Sequence, residues 1–196
     1  MSVGEATGAE ATRAALLRVA RELFAQRGYA AVGTEEIVAR AGVTRGALYH
    51  HFEDKRDLFR AVHEGLEAEL VASIGARVEG IEDPWELLVT GIRGFLDACS
   101  DDALRQISLL DAPAVLGWEE WREISARHSA GLVSFGLENA MERGVLRRQE
   151  VAPLAQLLQG AMAEAAMVIA NAADQEQARR DVEPALLGLL EGLRLE

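Results

Sequence analysis

Apolar residues return every three or four positions along most of this chain, the spacing of helices with one buried face. Leu16, Ala20, Leu23 and Phe24 share a face of a first helix predicted from about Thr12 to Arg27. Gly28 fits a left-handed C-terminal cap, with Tyr29 placed to pack back on Phe24. A second helix, about Thr34 to Arg40, buries Ile37 and Ala41 and stops at Gly42. A third begins at Thr44, whose hydroxyl can cap the first turn, and runs to about Phe52; Val43 and Leu48 form a hydrophobic staple around that cap. Lys55 opens a fourth helix through Phe59, Val62, Leu66 and Leu70.

Asp83-Pro84-Trp85-Glu86 is the signature of a helix start, and a fifth helix carries Leu88, Ile92, Phe95 and Leu96. A sixth covers about Asp101 to Leu110 and ends near Pro113, and a seventh runs from about Gly117 to Arg143. An eighth follows Pro153 to about Ala173. The ninth starts near Asp174 and meets Pro184, which should kink or break it. Alternating strand patterns are few, so the fold class is all-α, with about nine helices.

Composition narrows the class. The abundant residues are alanine, leucine, glutamate and arginine, all good helix formers. A hydrophobic fraction of 49% with 27% charged residues excludes wholesale disorder. The lone cysteine, Cys99, excludes an internal disulfide and fits a reducing compartment. No apolar run is expected to reach the roughly 18 residues of a membrane span, and the N-terminus lacks a signal-peptide core. The expectation is a cytoplasmic protein with no membrane partner.

The formal charge of −12 argues against nucleic acid until it is divided along the chain. Residues 64–196 hold 11 basic and 24 acidic groups, a balance of −13, whereas Thr12 to His63 hold 9 basic and 6 acidic groups, a balance of +3. One part can meet an anion and the other repels it.

The most informative run is Thr34 to Lys55, TEEIVARAGVTRGALYHHFEDK. Two short helices joined by Ala41-Gly42-Val43 make a helix-turn-helix, in which Gly42 permits the tight turn. Ile37, Val43, Leu48 and Phe52 point inward, leaving Thr44, Arg45, Gly46, Tyr49 and His50 on the outer side of the third helix. Arginine suits a bidentate contact with guanine O6 and N7, while Thr44, Tyr49 and Lys55 can hold phosphates.

From Thr12 to His63 the chain resembles the DNA-binding domain of the TetR family of one-component regulators. The likeness lies in LFAQRGY, in IVARAGVTRGALYHHF and in the lysine opening helix four. It implies a homodimer on a near-palindromic operator of double-stranded DNA, with a helical C-terminal domain for effector binding and dimerisation. The family's DNA contacts fall by position on Thr44, Arg45, Gly46, Ala47, Tyr49, His50 and Lys55. Where relatives often have Ser or Thr capping helix two, this chain has Gly33 and then Thr34, so a phosphate contact there comes from backbone amides or from Thr34.

The domains expected are a flexible leader over 1–11, a helix-turn-helix domain over 12–63 and a helical effector and dimerisation domain over 64–196. Trp85, Leu88, Phe95, Trp118, Trp121, His128, Met162 and Met167 line an apolar or aromatic effector pocket, or else only pack between helices. Helices around 153–173 and 174–194 offer small and leucine-rich faces for a four-helix bundle between two copies. His63 and Glu67 share a helix face and read as a solvated ion pair rather than metal ligands. No phosphate loop, nucleophile elbow or zinc-protease motif is present, so no enzyme, metal or cofactor is expected. The function expected is a ligand-responsive DNA-binding regulator, most simply a repressor. The alternative is a helical small-molecule-binding or adaptor protein that does not read DNA.

Overall fold

The computed structural model describes residues 3–195, with side chains from residue 8 onward. Nine α-helices and one π-helical stretch make up the described chain, with no named strand among these residues. They are α1 (Val3–Arg27), α2 (Thr34–Ala41), α3 (Arg45–His51), α4 (Lys55–Val78), α5 (Pro84–Ala98), the π stretch Leu104–Asp111, α6 (Ala112–Leu116), α7 (Trp118–Glu142), α8 (Val151–Asn171) and α9 (Gln175–Glu191). The all-α expectation holds.

Two compact units form. One holds the residues up to Leu66 together with Asp102–Trp121; the other holds Glu67–Asp101 and the chain from Arg122. The first unit takes in the segment 102–121, which periodicity alone could not assign.

In the first unit α1 packs against α2, α3 and the π stretch. Leu16, Leu23, Phe24, Ile37, Leu48, Leu58 and Phe59 are fully buried, each contributing about 1.5–3 kcal/mol. Phe24, Tyr29 and Phe59 form an aromatic cluster with ring centroids 5.0–5.7 Å apart. Gly28 ends α1 with φ +74°, and its amide donates to Phe24 O at 2.9 Å. The expected leader over 1–11 is helical from Val3, nine residues before the expected start; Met1 and Ser2 lie outside the described residues. Alanine and glutamate without a proline propagate the helix upstream, and Thr12 Oγ1 bonds back to Gly8 O at 3.0 Å.

Pro113 does not end the sixth helix as expected. The chain winds as a π-helix over Leu104–Asp111 and resumes α winding with Pro113 in the first turn of α6. The amide of Ala112 donates to Ile107 O, five residues back. The same winding would pair residue 113 with Ser108 O, and proline has no N–H to give. Trp121 Nε1 donates to that carbonyl instead, at 2.8 Å.

In the second unit α8 packs on α9, and α5 touches both. At the crossing of α5 and α7, a Cβ on Gly136 would lie 2.9 Å from Leu88 Cδ2, so any larger residue there would make the Leu88 side chain shift. Arg179 of α9 pairs with Asp97 at 2.6 Å and Glu183 at 2.5 Å. Asp97 in turn meets Arg77, and Glu183 meets Arg93, tying α9 to α5 and α4. α9 runs on through Pro184, so of the expected kink or break the break does not occur; both Pro184 and Arg180, whose carbonyl loses its helical partner, are exposed to water. α8, with 21 residues, is long and apolar enough by length and composition to cross a membrane, contrary to the sequence expectation. Its only charged residue is Glu164, which is exposed.

Candidate nucleic-acid interface

The helix-turn-helix is fixed from three sides. Ile37 and Leu48 are fully buried and Phe52 nearly so, while Val43 is half-buried. Gly42 turns the chain at φ +68°, its amide returning to α2 carbonyls. Arg27, at the end of α1, binds Glu36 at 2.7 Å and Ala31 O at 2.8 Å, so α1 holds the start of α2. Thr44 caps α3 as expected, its hydroxyl accepting from Ala47 N at 3.2 Å. Gly33 precedes α2 in extended conformation with no side-chain cap, and Thr34 is half-buried.

This scaffold leaves Thr44, Arg45, Gly46, Tyr49 and His50 exposed together on α3, with Ala47 half-buried among them. The Arg45 guanidinium lies 5.6 Å from the Tyr49 ring centroid. His50 stacks edge-on with His51 at 5.2 Å; His51 is half-buried and reaches the Phe52 ring at 6.4 Å. Lys55 stands apart from that row. Its Nζ donates to Tyr29 O at 2.6 Å and sits 3.9 Å from the Tyr29 ring centre. Burial lowers its ammonium below the ordinary lysine range, against an opposing effect of Asp111.

Sequence reasoning missed the groups that anchor this face from behind. Asp111 Oδ2 accepts the Tyr29 amide at 2.7 Å, and Gln106 and Asp111 crowd Gly28. Arg56 donates to Val115 O, Leu116 O and Glu120, and Arg60 also binds Glu120. Ser108 Oγ pairs with His63 Nδ1 at 2.9 Å. Only tertiary contact reveals these partners, since each pair is more than forty residues apart in sequence. Glu35 was also passed over; it projects from α2 onto the recognition side, 4.0 Å from Arg45.

The candidate effector residues divide between the two units. Trp118 and Trp121 belong to the first unit, with rings 4.9 Å apart; Trp118 is exposed, whereas Trp121 is core. The other six belong to the second unit. There Trp85 is covered by the Arg194 guanidinium at 4.8 Å, and Leu88 is buried in the close crossing with α7. Phe95, His128, Met162 and Met167 are half-buried.

His63 and Glu67 are not a solvated pair. Both are buried, at 0% and 7% exposure, because they fall on the apolar stripe of α4 set by Phe59, Val62, Leu66 and Ile74. That stripe was the sequence signal that could have placed them inside. Burial pushes the Glu67 carboxyl up to about 7, against a hydrogen bond with Ser125 that lowers it. Burial likewise pushes the Cys99 thiol up to about 12, consistent with the small core residue expected there. Among the described residues no cluster of three or more histidine, cysteine or acidic groups is placed to hold a metal.

Residues 16–62 match the model of the bacterial regulatory proteins of the tetR family, and residues 85–193 match a tetracyclin repressor-like C-terminal domain. The chain is 29% identical over 151 residues to the transposon Tn10 TetC protein of Escherichia coli, covering 77% of this chain and 76% of that protein. It is also similar to the crystal structure of a TetR-family transcriptional regulator from Pectobacterium atrosepticum. That likeness has a TM-score of 0.88 and 35% identity, over 100% of this chain and 99% of the other. A more distant likeness, at 22% identity and TM-score 0.74, is to RolR in complex with resorcinol, covering 94% of this chain and 89% of RolR.

Proposed function

We propose, from the premise that this chain belongs to the TetR family of bacterial regulatory proteins, that it represses transcription as a homodimer on a near-palindromic operator. Membership makes it a ligand-responsive, helix-turn-helix DNA-binding regulator; its relatives are transcriptional regulators rather than enzymes. The observation that carries the operator reading is the exposed row Thr44, Arg45, Gly46, Tyr49 and His50 on a rigidly packed α3. Arg45 supplies the fork for a guanine edge, and Tyr49 and the capped N-terminus of α3 supply phosphate contacts. Lys55, at the start of α4 and bonded to Tyr29 O, supports them and adds positive charge near the DNA backbone.

Two recognition helices reach successive major grooves only if two copies associate with half-sites about 34–36 Å apart. Exposed Leu157 and Val168 on α8 and Leu189 on α9 support a bundle of those two helices with a second copy. The effector is an apolar or aromatic small molecule, for which Phe95, Met162 and Met167 are suitable contacts. It acts by binding the DNA-free arrangement of the dimer more tightly than the DNA-bound one. The site of action is the cytoplasm, where the operator is.

The test is binding of the purified protein to DNA flanking its own gene, followed over a range of salt concentrations. Selective binding at two chains, or a multiple, per protected palindrome, with a steep salt slope, is the expected result. Weak, sequence-blind binding there and in a random-sequence selection would overturn the operator reading.

A further inference from the structure

Arg45 carries two neighbours whose joint effect goes beyond a simple base contact. Its side chain is 66% exposed, and the adjacent Tyr49 ring and Glu35 carboxylate bear on where it points. Glu35 is 87% exposed and stands in the first turn of α2, with its carboxylate 4.0 Å from Arg45 Nη1. An acidic group on a surface meant for a polyanion is unfavourable by itself. A guanidinium free to swing would take the nearest phosphate on any sequence, and phosphate contacts carry no sequence information. A carboxylate beside it opposes that excursion twice: it attracts the arginine back, and it resists being left unpaired next to a phosphate.

We infer that Glu35 is a specificity-determining residue of the DNA face, holding the Arg45 fork between itself and the Tyr49 ring toward base edges and away from phosphate. The inference rests on Arg45 being a base-reading residue. The preorganised fork binds its cognate base with less side-chain entropy to lose. Non-cognate DNA gains less from the same arginine, because its phosphate contact must break the Glu35 pairing. Glu35 is thus a positioning residue, and its contribution is a ratio of affinities rather than an affinity.

The experiment measures binding of wild type, E35Q, E35D, R45A and the E35Q/R45A double variant. The targets are the selected operator and an unrelated duplex of equal length, at fixed salt, with thermal melts confirming folding. The expected result for E35Q is tighter binding to the unrelated duplex and a selectivity ratio lowered about two- to fivefold, the scale of one exposed ion pair. E35D keeps the charge and the favourable position at the helix start but withdraws the carboxylate by one methylene, so its selectivity falls similarly. In the R45A background, E35Q has no further effect on selectivity. An E35D variant with wild-type selectivity, or an E35Q effect that persists without Arg45, would overturn the positioning role and leave only a general anionic field. An R45A variant with wild-type selectivity would overturn the base-reading role itself, and this inference with it.

Discussion

Pro113 has no N–H to return to the preceding turn, and Trp121 supplies one from eight residues ahead. The Ser108 carbonyl that accepts it belongs to a fully buried residue, so its loss is not repaired by water. Trp121→Phe keeps an aromatic ring but removes the donor together with the pyrrole part of the indole; the expected cost is about 1–3 kcal/mol in denaturant unfolding from the donor, with the lost core volume adding to it. A cost below about 0.5 kcal/mol would mean another group satisfies that carbonyl. Glu67 has the opposite character, a buried acid whose neutral form the fold prefers. Its folded pKa of about 7 lies above the ordinary 4.5, so its stabilising contribution is complete below about pH 4.5 and is lost as pH rises through 7. Glu67→Gln should therefore gain stability relative to wild type between about pH 5 and pH 8, on the order of 3 kcal/mol. Thermal unfolding of both proteins across that range checks it, and parallel curves would remove Glu67 as the cause. The charges of His63 and Glu67 suggest a solvated pair, whereas the phase of the α4 apolar stripe puts both inside.

At the scale of elements, what the sequence made legible is what local chemistry decides. Gly28, Gly42, Thr44 and Asp83 each end or begin a helix where their side chains, or lack of one, predict. What stayed hidden in the π winding needed a partner from elsewhere in the chain, Trp121, whereas the helical run upstream of Thr12 is local propagation that the sequence reading stopped short of. Proline misled in two places for one reason. A helix tolerates the missing N–H when another donor or solvent takes the orphaned carbonyl, and Trp121 does so near Pro113 while Pro184 sits in the open. The junction of α1 with the π stretch gives a further prediction. Gly28 combines φ +74° with Gln106 Nε2 only 3.3 Å and Asp111 Oδ2 3.4 Å from where a Cβ would stand. Gly28→Ala should cost more than 1 kcal/mol and loosen the Tyr29 amide from Asp111. Faster hydrogen exchange at the Tyr29 amide is the specific sign, and an unchanged exchange rate would show that the junction yields without opening.

The whole molecule separates its charge. The helices that carry the recognition row have a balance of +3 over Thr12 to His63, while the chain beyond holds −13. DNA affinity is accordingly expected to fall steeply with salt despite the overall charge of −12. The second unit leaves Leu157 at 73% and Leu189 at 66% exposure, on helices that pack against each other within the chain. Leu157→Glu with Leu189→Glu should leave the fold intact and convert a dimer to a monomer in sedimentation, with operator affinity falling in step. A variant that remains dimeric would move the interface to another face. The aromatic residues were the least legible feature of the sequence. Spacing groups Trp85, Trp118 and Trp121 with Phe95, but it cannot tell a wall of a pocket from a ring lying under Arg194 or bonded to a carbonyl.

Lys55 is the only lysine among 196 residues, and its ammonium is engaged by the carbonyl and ring of Tyr29. Reagents that work through side-chain amines thus find one target, already occupied and next to the recognition helix. Amine-directed acylation of the folded protein should therefore modify its side chains at this one position, and slowly beside an unengaged lysine.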